Sequence, residues 1–448
     1  MSRSVLFCSA TLVASLALLS GCKSLSSQEE RVSRQQFKAV SDEREQALPS
    51  VALPQENAPL SEYLRFALLK HPAVFSSYSE WKSSIAAINP AKALPDPQLT
   101  FQADIQGTLM SFMPGFMFDL MLPGKREAMS RELSAGSLVA AKAYLASASK
   151  VAGEVHRTFI QIAYVEQAIE LKQASLHNLG QRQQIAAAEY QTGTGMGNLE
   201  SQLRLASEKE KLESDLQTLN DRLDSARAEF KAALGLQPND ASPSWPHPRL
   251  QRAAIPTEGE LWALIKANNP DLGKMRAMVD MAIAQEAIAK QGKIPDFTAG
   301  LMVDVKQAPW MWRPTATMSL PIWRGKIAGQ IETAAARREA AQAAVDAELL
   351  NMSAELARML YMIRESDRMI AFIDSSAIPK IRQTVLSAQA SAGTGMGNPS
   401  MIPEGQGMEI AMNTERLAAL RDRELAVAAL ALMTAQIPAE SGLNQFKK

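Results

Sequence analysis

Gly193-Thr194-Gly195-Met196-Gly197-Asn198 returns, residue for residue, as Gly393-Thr394-Gly395-Met396-Gly397-Asn398. Other landmarks return in the same order. His71-Pro72 is answered by Asn269-Pro270, Pro95-Asp96 by Pro295-Asp296, and Leu122-Pro123-Gly124-Lys125 by Leu320-Pro321 with Gly325-Lys326. Ordered landmarks mean a tandem duplication, which fixes the architecture before any local reading: two copies of one unit. The expected bounds are a first copy over 60–235, a proline-rich linker over 236–257, a second copy over 258–437 and a tail over 438–448.

Composition narrows what the duplicated unit is. Lys and Arg number 47, as do Asp and Glu, so no excess of charge points to nucleic acid. Hydrophobic residues make up 46% of the chain but aromatics only 6%, which favours long, closely packed helices over a large globular core. Cys8 and Cys22 are the only cysteines, and His71, His156, His177 and His247 are scattered. No disulfide framework, thiolate metal site, His-x-x-x-His pair or nucleophile motif can be assembled from them. The repeated glycine turn has no strand before it, so it is not a dinucleotide fingerprint. Neither an enzyme nor a cofactor is expected.

The N-terminus reads as a targeting segment. Arg3 precedes an apolar run from Val5 to Leu19, too short for a comfortable transmembrane helix. Leu19-Ser20-Gly21-Cys22 resembles a bacterial lipobox, which implies a signal peptide over 1–21 and acylation of Cys22. Lys23, in place of Asp, fits sorting to the outer membrane. The polar stretch 22–59 is expected to be a tether between lipid and folded body.

Each copy contains a period-two segment. From Gln98 to Gln106 every second residue is apolar, the mark of a strand with one greasy and one wet face. Gly107–Pro114 is read as a turn, and Gly115–Leu122 as the return strand, with Phe116, Phe118, Leu120 and Leu122 opposed to Met117, Asp119 and Met121. The second copy sets Phe297, Ala299, Leu301, Val303 and Val305 against Thr298, Gly300, Met302 and Asp304. Its partner strand is expected near Arg313–Leu320. Strands of ~9–11 residues match those of membrane barrels. Four strands cannot enclose a channel, and open edges are not tolerated in lipid, so several chains would each donate four.

Long helices follow each hairpin. Lys125–Thr192 lacks proline and is rich in helix formers, and Leu212, Leu216, Leu219, Leu223, Ala226 and Phe230 form a heptad seam after the glycine turn. In the second copy a helix runs over about Lys326–Ala392, where Pro379 should kink or break it. Pro399–Gly407 reads as an insertion before a last helix from about Met408 to Gln436.

Lipobox, duplicated hairpin-plus-helix-pair units and a glycine turn at each helical tip together resemble the TolC family of outer-membrane efflux proteins. Pro95-Asp96-Pro97 and Leu122-Pro123-Gly124-Lys125-Arg126 look like its barrel boundaries, particularly in the heavy-metal efflux branch. The resemblance implies a mainly α fold with a transmembrane β-barrel portion: a homotrimer with a twelve-stranded barrel above a periplasmic α-helical tunnel. It also implies a passive conduit in the outer membrane of a Gram-negative bacterium, meeting a periplasmic adaptor and an inner-membrane pump, with metal ions or drugs as cargo. Gln102, Asp104, Asp119, Asp304 and Arg313 would line the barrel. Trp310 and Trp312 would sit at the membrane interface or pack as ordinary loop residues.

Tyr190, Gly193, Gly195, Met196, Gly197 and Asn198, with Gly393, Gly395, Met396, Gly397 and Asn398, would form the periplasmic tip and gate. Where the family often carries Tyr and Arg in a closing network, this chain has Ala390 and Gly395. Closure would then rest on the glycine turn and Pro399–Pro403. The nearest acids are Glu404, Glu409 and Glu200, whose simpler role is as solvated helix-start charges. Met396, Met401, Met408 and Met412 cluster near the second tip, where thioethers suit Cu(I) or Ag(I), although filling gaps between packed helices is the stronger reading. The competing readings are a pore-less periplasmic coiled-coil adaptor and a metal-binding lipoprotein.

Overall fold

The computed structural model describes residues 28–55, 58–106, 108–192, 199–306, 308–393 and 400–435. In chain order these form α1 (Gln28–Ala47), α2 (Leu60–Lys70), α3 (Pro72–Ala86), α4 (Ile88–Lys92), β1 (Gln98–Gln106), β2 (Thr108–Leu120), α5 (Pro123–Thr192) and α6 (Leu199–Ala233). The second copy gives α7 (Glu258–Asn268), α8 (Pro270–Gln291), β3 (Asp296–Asp304), β4 (Met311–Ser319), α9 (Arg324–Phe372), α10 (Ile378–Gly393) and α11 (Met401–Met433). No helix among the described residues is long and apolar enough to cross a membrane. The chain divides into two compact units.

One unit comprises Met1–Val40, Ser79–Lys142 and Lys274–Val345 and carries the sheet. Its four strands are antiparallel in the order β1-β2-β3-β4, so the two copies meet along a β2–β3 seam. Of the expected turn over Gly107–Pro114, Thr108–Pro114 is instead strand, and Gly107 lies outside the described residues. β2 starts at Thr108, and Asp104 pairs with Ser111, whose hydroxyl donates to the Asp104 carboxylate at 3.0 Å. A bulge between Asp104 and Ile105 absorbs the register change. Pro114 is tolerated because the β2–β3 ladder starts only at Gly115.

The segment read as a tether is, over residues 28–47, the helix α1. Glu30, Ser33, Val40 and Arg44 are buried and Phe37 is half-buried, a three-four spacing that draws one seam along the helix. In this unit the Ser137 hydroxyl donates to Ser33 at 2.8 Å, and Phe37 meets Trp81 edge-on at 5.1 Å. Glu30 pairs with Arg34 at 2.9 Å and with Lys92. Burial alone would push its carboxyl up, but the hydrogen bonds from Lys92 and Arg34 outweigh it and hold the group below its usual range.

The second unit, Ser41–Tyr78, Ala143–Gly273 and Asp346–Lys448, is helical. Tyr63, Phe159 and Phe230 pack ring against ring at 5.2–6.4 Å, and the Tyr63 hydroxyl donates to the Ser244 carbonyl at 2.8 Å. Burial pushes that phenol up to about 12. The heptad residues of α6 face inward as their spacing requires: Ala226 and Phe230 are buried, and Leu212 packs on the cluster of Leu179, Ala186 and Leu205. Gly235 ends the element with φ +82°, a left-handed turn that suits glycine. The linker is pinned rather than slack. Arg249 reaches Glu170 at 3.2 Å, Arg252 reaches Asp367 at 2.9 Å, and the buried Arg423 donates to the Ala253 carbonyl at 2.7 Å.

Two expectations about proline change in this unit. Pro379 does not break its helix. The missing amide is absorbed by a π-helical turn over Ile373–Ala377, after which α10 continues. Pro399–Gly407, expected as an insertion, is helical from Met401. Pro403 falls in the first turn of α11, where the amides have no intrahelical partner to lose.

Candidate functional site

The register of the sheet sorts its residues onto two faces. Leu99 lies opposite Phe116, Phe116 opposite Leu301, Phe118 opposite Ala299, Leu120 opposite Phe297, and Phe297 opposite Met318. With Phe101, Phe112, Pro114, Val303, Trp312, Pro314 and Ala316 they make one face without a polar side chain. Its large residues are exposed: Phe101 is 60% accessible, Phe116 56% and Trp312 61%. In water so large an apolar surface would be a liability, and in lipid it is the required exterior. The nine-residue strands β3 and β4, rising ~3.3 Å per residue with a tilt of ~40°, climb ~23 Å, close to the apolar band of ~25 Å in membrane barrels. Trp310 and Trp312 mark one end of this band, and Ile322 and Trp323, 66% and 72% exposed, follow the other.

The opposite face gathers the polar set. Gln102, Asp104, Asp119, Asp304 and Arg313, named from the sequence, all lie on it, with Gln98, Thr100, Thr298, Thr315 and Thr317. Asp304 is fully buried. Arg313 stands 3.9 Å from its Oδ2, and the Lys306 backbone N–H donates to its Oδ1 at 3.1 Å. The centre of the face is built of glycine and methionine. Gly115 lies opposite Met302 and Met117 opposite Gly300, a crossed pair related by the duplication. A Cβ on Gly115 would stand 2.5 Å from Met302 Cγ and 2.6 Å from the Leu301 carbonyl, so glycine is required for the methionine to lie across the seam. The alternation already placed Gly300, Met302 and Met117 on strand faces, but only the register sets each glycine against a methionine.

The tip is described in part. Cys22, Gly193, Gly195, Met196, Gly197 and Asn198, and Gly395, Met396, Gly397 and Asn398, lie outside the described residues. Tyr190 is exposed near the end of α5, and Gly393 closes α10. Glu200 and Glu404 sit in the first turns of α6 and α11, the place for a helix-start carboxylate. Glu409 differs: it accepts from Arg382 Nε and Nη2 at 2.8 and 2.7 Å, which raises the guanidinium's pKa.

Behind this pair the helices approach closely. A Cβ on Gly405 would meet Val385 Cγ2, one on Gly407 would stand 3.1 Å from Asn178 Oδ1, and the buried Asn178 amide donates to the Pro403 carbonyl at 2.9 Å. Arg382, Val385 and Asn178 were invisible in the sequence, where nothing links them to the insertion. Met401, Met408 and Met412 share one face of α11 but spread over ~16 Å of helix, too far for one ion to join all three. No group of three or more His, Cys, Asp or Glu among the described residues is arranged to hold a metal.

The sheet is greasy on one face and polar on the other, and the outer edges of β1 and β4 have no strand partner among the described residues. Residues 261–436 match the family model of the outer membrane efflux protein. That match falls within the second copy of the duplicated unit. No curated protein sequence matches the chain. Solved structures show the same fold at low identity. CusC is 15% identical, with 84% of this chain and 91% of that one covered at a TM-score of 0.68. VceC of Vibrio cholerae is 16% identical over 84% and 95%, at 0.67. The open-state channel MtrE of Neisseria gonorrhoeae is 15% identical over 84% and 88%, at 0.68. The matched family model and the similar folds are those of outer-membrane channels.

Proposed function

We propose that three copies of this chain close one twelve-stranded barrel, β4 of each pairing with β1 of the next, and that cargo passes along the face bearing Gln102, Asp104, Asp119, Asp304 and Arg313. The observation that carries this is the two-faced sheet. Four strands leave two open edges, an unpaired edge is intolerable in lipid, and closure by further copies pairs every strand. The conduit does no chemistry. Energy comes from an inner-membrane pump joined through a periplasmic adaptor, and the repeated glycine turns, 193–198 and 393–398, provide the adaptor contact and the gate. Acylation of Cys22 anchors the chain to the outer membrane after removal of residues 1–21.

Reconstitution tests the pore. The purified protein should run as a heat-modifiable trimer and give discrete conductance steps in a planar bilayer, and a monomeric, non-conducting protein would refute the reading. A second reading concerns cargo and rests on Met113, Met117 and Met302 on the polar face and on the methionine stripe of α11. If these serve soft metal ions, a deletion strain becomes sensitive to copper or silver, and silver shifts the methionine methyl resonances at stoichiometric metal. Sensitivity to dyes, detergents and antibiotics alone makes the cargo organic and the methionines packing residues.

A further inference from the structure

The two ends of the membrane sheet differ in charge. At the hairpin-loop end the cations are Lys306 and Arg313, and Arg313 stands by Asp304. At the helix end, Arg324 and Lys326 follow Ile322 and Trp323, Lys293 precedes Ile294, and Lys125 and Arg126 follow Leu122. Arg324, Lys326 and Lys293 make no ion pair among the described residues, and Arg126 Nε is buried without a hydrogen-bond partner. The acids at this end are Asp96, Asp296, Glu127 and Glu132, of which Asp296 is taken by Lys125 at 2.6 Å and Glu127 by Arg131 at 2.8 Å, while Glu132 accepts from the Gln285 amide at 2.9 Å. A groove of about 780 Å3 opens between the helices below the strands, with Lys125 and Lys326 among its lining and Gly292, Gly329 and Ala289 leaving it room.

We propose that this junction is a docking site for anionic phospholipid, the acyl chains lying on Leu320, Ile322 and Trp323 and the phosphate held by Arg324 and Lys326, with Lys293 beside them. Free cations next to an exposed tryptophan and aliphatic residues, where an apolar band ends, match a headgroup phosphate together with its chains. A soluble anion would have no use for the apolar half. The inference rests on the apolar face being the lipid-facing side of the pore.

The test uses the full acylated protein in nanodiscs of phosphatidylcholine with one-third phosphatidylglycerol, and native mass spectrometry counts the lipids retained. Phosphatidylglycerol should be retained in preference, and Arg324→Gln with Lys326→Gln should cut that preference by roughly 25-fold, about fivefold for each cation. Lys306→Gln, at the opposite end, should leave it unchanged. An undiminished preference in the double variant overturns the proposal. So does displacement of the lipid by millimolar glycerol phosphate, which would mark a free-phosphate site, or a changed ion selectivity without a changed lipid preference, which would place the cations in the conduit. Conductance recorded on the same samples separates the two readings: a protein that does not conduct fails as a pore, whereas one that conducts without lipid preference fails only here.

Discussion

The two copies of the unit meet symmetrically across the sheet and share an identical glycine turn, but differ in the helices that flank that turn. At the β2–β3 seam each copy contributes one glycine and one methionine, Gly115 and Met117 from the first, Gly300 and Met302 from the second, so a change in either copy must be met in the other. The helices beside the turns do not pair with each other in this way. In the first copy α5 runs unbroken over Pro123–Thr192 and α6 begins at Leu199. In the second the descending helix carries a π-turn, and the returning one opens with Pro403, Gly405 and Gly407 packed against Val385 and Asn178. The seam ties the two copies to each other residue by residue, whereas the flanking helices, packed on different neighbours, have departed from the repeat.

The sharpest way to break this comparison is at the seam. Gly115→Val or Gly300→Val should each cost about 3 kcal/mol, the upper range for overpacking, read as loss of the heat-modifiable trimer. Met302→Ala should not rescue Gly115→Val, because the Leu301 carbonyl remains in the way at 2.6 Å. If both glycines tolerate valine, the seam is not what held the copies together. Next comes the tip. Gly405→Val should cost about 2 kcal/mol by forcing Val385 aside, whereas Glu200→Ala at the first-copy helix start should stay within about 0.5 kcal/mol. Equal losses in chemical denaturation would erase the asymmetry.

A smaller effect concerns α1, which has no counterpart in the second copy. The Glu30 carboxyl is held below its usual range in the folded chain, so its contribution is present above the unfolded value near 4.5 and lost as pH falls through the lower folded value. The protection of α1 amides, relative to their intrinsic exchange at each pH, should therefore fall in acid, and Glu30→Gln should abolish that pH step. Smallest in stability is the exposed Arg382–Glu409 pair. Arg382→Ala and Glu409→Ala should alter channel open time equally, and the double variant no further. Unequal single effects would show that the two do not act as a pair.

Much of this was legible in the chain itself. Alternation over Gln98–Gln106 and Phe297–Val305 fixed strands and faces, since a period of two admits one arrangement of greasy and wet sides. The long proline-free run from Lys125 and the heptad of Leu212–Phe230 fixed helices and their buried stripe. What escaped was set by partners distant in sequence. The seam of α1 includes Glu30, Ser33 and Arg44, polar residues that count as core only once Lys92 and Ser137 are beside them. Thr108–Pro114 looked like a turn because Met110, Pro114 and Gly115 blur the period, and pairing with β1 made it strand. Pro379 and Pro403 act oppositely to their local reputation, one absorbed by a π-turn and the other placed where no amide is missed. Local periodicity determined the elements, because each residue's own side chain decides which face of its element is apolar. Tertiary structure alone decided which glycine faces which methionine, and which arginine reaches which carboxylate, because those energies belong to pairs rather than to residues.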